Sequence, residues 1–167
     1  HLVRVPTSGV LQSSSYEYFS GLDESGDAIW GSSYLNATNV LPAGVGELSV
    51  TWAPAIKRWV ALYSRPDCNP FNHACGIVAR TSACLWQGWS AEVVVMPNGT
   101  DGDIVYGGYS HPRLVDQESM SFTVSSHRNY SVYLATTTLA SLLPPPAPAP
   151  HTPPPPPAPA RIGRARR

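Results

Sequence analysis

The sequence predicts an all-β fold of four-stranded antiparallel sheets, followed by a disordered proline-rich tail. Three observations predict it. Short segments rich in β-branched and aromatic residues recur between Gly, Pro and Asn punctuation. No stretch before residue 143 carries a helical period of apolar residues. From residue 144 to 160 the chain is almost wholly Pro and Ala, which can neither build a core nor supply ladder donors.

The elements follow in order. Leu2-Val3-Arg4-Val5-Pro6 reads as the third strand of an early sheet, with a fourth expected within 28–41. ELSVTW (47–52), RWVALYS (58–64), CGIVARTS (75–82) and WSAEVVVM (89–96) make one complete four-stranded sheet. RWVALYS is apolar at nearly every position rather than at alternate ones. Such a strand is covered on both faces, as the middle strand of a propeller blade is when neighbouring blades pack on each side. The pattern then restarts with DIVYGGYS (103–110), SMSFTVSS (119–126) and YSVYLATTTL (130–139) as first, second and third strands, and the proline tail begins before a fourth.

This makes about two and a half antiparallel four-stranded blades, a count that cannot close a ring. Propellers often complete their last blade with a strand from the N-terminus, which removes the open edge. Further N-terminal blades are therefore an expected partner, and the chain reads as a fragment. The expected division is 1–143 for the propeller part and 144–167 for the tail, which ends in RIGRARR. That tail reads as a cell-wall spacer, a linker or a reading-frame artefact.

Charge narrows the function. The 167 residues hold eleven basic and eleven acidic side chains, but all the acidic ones lie in 1–143 and four of the basic ones lie in the last seven positions. The body is mildly acidic, with scattered Arg and a single Lys57, so it carries no electrostatic footprint for nucleic acid. No run of about 18 apolar residues is present to span a membrane. Cys68 and Cys75 flank the loop CNPFNHAC, and Cys84 follows. No CxxC or HxxxH spacing exists, so a disulfide between Cys68 and Cys75 is favoured over a soft metal site completed by His73. A disulfide and the sequons at Asn36, Asn98 and Asn129 fit a secreted or extracellular setting, in association with a cell wall. The residues imply no metal and no cofactor.

Several motifs in fixed order carry a resemblance: VGELSV (45–50), RWVALYS, GIVARTS followed by LWQGWS (85–90), YGGYSHP (106–112) and the closing YSVYLATTTL. The opening VRVP and the Tyr-rich SYEYFSG (15–21) belong to the same pattern. With these motifs the chain resembles the C-terminal part of a family of secreted proteins grouped as a domain of unknown function, DUF4185. The Cys68–Cys75 loop departs from the bacterial pattern. The resemblance implies a glycosidase-like five-bladed β-propeller and, for some members, endo-D-arabinanase activity.

Glycoside hydrolysis generally needs two carboxyl groups across the scissile bond. Glu47 opens a first strand directly after Val45-Gly46, which makes it the carboxylate best placed to face a central channel as acid or base. The alternative for Glu47 is a strand-end glutamate bonded to loop backbone. His111, in Tyr-Ser-His-Pro, is a candidate to orient a carboxylate or contact substrate, against a purely structural histidine. Tyr106, Tyr109 and Ser110 are candidate substrate contacts around Gly107-Gly108, a pair that equally permits a bulge. Trp59, Trp86 and Trp89 read as packing between blades, and Asp101 and Asp103 as turn residues.

These readings predict a carbohydrate-active protein, glycoside hydrolase-like, acting on a furanose-containing, arabinan-type polysaccharide or oligosaccharide. The isolated chain is expected to lack turnover, because it offers one strong carboxylate. A non-catalytic glycan-binding propeller and a structural cell-surface domain are the alternatives.

Overall fold

A computed structural model describes residues 1–42, 44–65, 76–99 and 103–144. The expected Cys68–Cys75 disulfide, His73, Asp101 and the tail from 145 lie outside the described residues. Among the described residues ten strands form three antiparallel sheets, four short 3₁₀ turns lie beside the first sheet and after the last strand, and no α-helix occurs. No helix there is long and apolar enough to cross a membrane.

The first sheet holds β1 (Val3–Arg4), β2 (Glu17–Leu22) and β3 (Ala28–Gly31), in that order. It differs from the expectation of a third and a fourth strand, because the Tyr-rich segment supplies a middle strand between them. Phe19 alone in it is fully buried, against Trp30 at 6.1 Å. Arg4 pairs with Glu17 across β1 and β2 and lies 4.3 Å over the Trp30 ring. The acidic turn between β2 and β3 is organised by Asp23, whose carboxylate accepts the Ser25 and Asp27 amides.

The second sheet has the order β4 (Leu48–Ala53), β5 (Arg58–Ser64), β6 (Gly76–Ser82) and β7 (Val93–Pro97). β5 and β6 are buried along almost their whole length, as the unbroken apolar run predicts. β7 starts four residues later than the sequence suggests. Ser90 spends its hydrogen-bonding groups elsewhere: its amide reaches the Thr81 carbonyl, its hydroxyl accepts the Thr81 amide, and its carbonyl takes Arg80. Trp59 lies edge-on to Trp52, its partner across β4 and β5, at 5.3 Å.

The third sheet has the order β8 (Val105–Val115), β9 (Ser119–Ser126) and β10 (Val132–Thr138). β8 outruns the expected strand and passes through Pro112. A proline is tolerated there because β8 is an edge strand with no ladder bond to lose on one side. The register slips between Tyr106 and Tyr109, and Gly107 takes φ 65° at the slip, so the Gly-Gly pair forms a bulge. A side chain on Gly108 would come within 2.6 Å of Ile77 in the second sheet, so that glycine permits the sheets to meet.

Between the second and third sheets lies the core: Val60, Leu62, Ile77, Ala79, Met120, Phe122 and Val124, capped by Leu139 and Leu142. Along its inner margin β4 and β8 are clasped by hydroxyls. Ser49 Oγ donates to the Gly108 carbonyl and accepts the Ser110 amide, each at 3.0 Å, and the Thr51 and Ser110 hydroxyls bond to one another.

Candidate functional site

At one end of this seam the second and third sheets part to leave a cavity of about 380 Å³, lined by Glu47, Ser64, Arg65, Tyr106, His127 and Tyr130 among others. Strand direction explains the set. β4, β6 and β8 begin at this end while β5, β7 and β9 finish there, so six strand ends converge.

Glu47 immediately precedes β4 and is held by the end of β5. Its carbonyl accepts the Ser64 amide at 3.3 Å, the Gly46 amide reaches the Ser64 carbonyl at 2.8 Å, and the Ser64 hydroxyl donates to the Glu47 carboxylate. The Ser64 hydroxyl thus orients the side chain, and the residue remains exposed. Arg65 turns partly away, pairing with Glu92 at 3.1 Å.

The same lining holds three rings in series. Tyr106 lies edge-on to His127 at 6.2 Å, and His127 is tilted 37° to Tyr130 at 5.8 Å. The hairpin carrying the last two is firmly fixed. The His127 amide donates to the Ile104 carbonyl at 2.9 Å, and Asp103 accepts the Ser126 hydroxyl at 2.7 Å and the Arg128 amide at 3.1 Å. The Ser126 hydroxyl, followed by the Arg128 amide and nearby positive charge, holds the Asp103 carboxyl below the usual aspartate range. A lowered folded-state pKa means this tie is complete above the ordinary aspartate pKa and fades as pH falls through the lowered one. Asn98, buried, accepts the Val105 amide through its side chain and closes the floor.

The sequence candidates therefore separate. Glu47 and Tyr106 meet in the cavity. The bulge returns Tyr109 to the same sheet face as Tyr106, where it is exposed on β8 away from the cavity lining. Ser110 faces the seam and bonds to Ser49 and Thr51. His111 is exposed further along β8, its Nδ1 accepting the Arg113 amide at 3.2 Å. Ser64, His127 and Tyr130 are the cavity residues that reading the sequence missed. The pairing of 119–126 with 103–110 could have pointed to the last two, since the end of β9 must lie beside the start of β8. No cluster of three metal-binding side chains occurs among the described residues.

A family model described as a domain of unknown function, DUF4185, matches residues 1–136, most of the chain and all of the first two sheets. This protein belongs to the DUF4185 family. The match runs through β9 and most of β10, so the cavity lies wholly within the DUF4185 domain. No curated protein matches the chain.

Proposed function

We propose that this DUF4185 domain is part of an extracellular, carbohydrate-active propeller that acts on furanose-containing, arabinan-type cell-wall polysaccharide, with the Glu47 cavity as a sugar subsite. One observation carries the reading: a carboxylate oriented by a hydroxyl shares with a row of aromatic rings a cavity large enough for a sugar residue. Aromatic faces take the C–H side of a sugar ring, and a carboxylate takes its hydroxyls or moves a proton to the glycosidic oxygen.

In this reading Glu47 is the general acid or base. Hydrolysis requires a second carboxyl group across the scissile bond. Among the described residues that line the cavity, Glu47 is the sole carboxylate. Turnover is therefore assigned to a five-bladed ring and sugar binding to this chain. The same count favours the second reading, a glycan-binding propeller without catalysis.

The test is turnover of arabinan by a five-bladed form that includes this chain, with and without Glu47→Gln. That substitution keeps the shape and removes the titratable proton. The expected fall in kcat is about two to four orders of magnitude, the range of general acid–base catalysis, with arabinan binding retained. Near-normal turnover in the variant would demote Glu47 to binding, and turnover by this chain alone would break the assignment to a completed ring.

A further inference from the structure

Tyr130 sits in the loop that joins β9 to β10 with φ 54°, in the left-handed region. A bulky side chain there is an outlier, and glycine or asparagine meets the same need without the steric penalty. Lys57 at φ 50° is the other described non-glycine residue with positive φ.

Nothing about the turn requires a ring at this position. The Ser126 amide reaches the Ser131 carbonyl at 2.9 Å, Asn129 Oδ1 accepts the Ser131 amide at 3.1 Å, and Asp103 fixes the Arg128 amide. Burial does not account for the ring either, because Tyr130 is 72% exposed. What it gains is a place on the cavity lining, at the exposed end of the Tyr106–His127–Tyr130 row, in a cavity that Glu47 also lines. Unfavourable backbone conformations cluster at ligand sites, and at Tyr130, unlike Lys57, one coincides with a cavity wall.

We propose that Tyr130 is the stacking residue of the cavity, its ring receiving the C–H face of a sugar while Glu47 takes the hydroxyls of the opposite edge. The assignment rests on the glycan reading above. It makes Tyr130 a specificity residue whose backbone works against the stability of the hairpin. His127 lies beside the ring, at 5.8 Å between centroids.

The experiment compares the 167-residue chain with its Tyr130→Gly, Tyr130→Phe and Lys57→Gly variants. Each is titrated with a linear arabinofuranosyl oligosaccharide and melted without it. Tyr130→Gly should weaken binding about 3- to 10-fold, the scale of one aromatic stack. Its Tm should hold or rise by up to about 4 °C as the backbone conflict is relieved. Tyr130→Phe keeps the ring and should bind within about twofold of the parent. Lys57→Gly, at the far end of β4 and β5, should shift Tm in the same direction and leave affinity alone. A fall in Tm for Tyr130→Gly would mean that the ring supports the hairpin through His127, and would overturn the proposal. Unchanged affinity in that variant, with the parent binding, would overturn it while sparing the glycan reading. No binding by the parent would remove both.

Discussion

On one face of β5 and β6, Val60, Leu62, Ile77 and Ala79 meet the third sheet across an apolar core. On the reverse face the next residues along, Tyr63 and Arg80, are closed over by polar groups. Tyr63 donates to Glu92 at 2.7 Å and accepts Arg80 Nε at 2.7 Å, and Glu92 is held by Arg80 and Arg65 at 3.3 and 3.1 Å. Both faces are buried, yet by different physics. Apolar burial scales with area and volume and has no direction, so it ignores pH. The polar face holds together only while each donor meets its acceptor, and it carries a titratable group. Burial, and then the bond to Glu92, push the Tyr63 phenol up to about 12. Along β4 this second face stays open, leaving Leu48, Val50 and Trp52 about two-fifths exposed.

The largest effect should come from the apolar face. Phe122, 1% exposed, packs from β9 into the core, and Phe122→Ala should cost about 3–5 kcal/mol by losing burial and leaving a cavity. Urea unfolding of the variant should show the same loss at every pH in the native range. A loss below about 1 kcal/mol would mean that the two sheets are not held together by this core.

Tyr63→Phe sharpens the contrast. At neutral pH it should cost about 1–3 kcal/mol, because Glu92 and Arg80 each lose a buried partner. An unfolded tyrosine ionises near 10.0 while the folded one holds its proton to about 12, so the unfolded state releases a proton first. Parent stability is therefore intact below 10 and drops by roughly 2–3 kcal/mol as pH rises through this window. The phenylalanine variant lacks that slope, and the gap between the two should close with rising pH. Parallel slopes would assign the alkaline loss to other groups.

Ser110→Ala tests the smallest term, the clasp between β4 and β8. Ser49 keeps its bond to the Gly108 carbonyl, so the loss should be about 1 kcal/mol. Oligosaccharide binding should not change. Weakened binding at unchanged stability would return Ser110 to the ligand.

Much of the fold was legible because β-branched runs and turn residues act locally. RWVALYS and SMSFTVSS fall where they were read, at Arg58–Ser64 and Ser119–Ser126. The errors lie where a side chain competes with a ladder. Ser90 delays β7 through its bonds to Thr81 and Arg80, and Pro112 conceals the length of β8 because an edge strand spares its missing donor.

The site divides in the same way. The sequence by itself determined the all-β class, the strands, the Gly107-Gly108 irregularity and, within one residue, the place of Glu47 at the start of β4. Each depends on neighbours within a few positions. Only the tertiary structure decided that Tyr106, His127 and Tyr130 share a cavity with Glu47, while Tyr109, Ser110 and His111 do not line it. That outcome depends on which strand ends converge and on a bulge that turns two tyrosines to one face. Convergence of this kind is set by packing between two sheets whose contributing segments lie some 60 to 80 residues apart in the chain, and no local pattern of side chains encodes it.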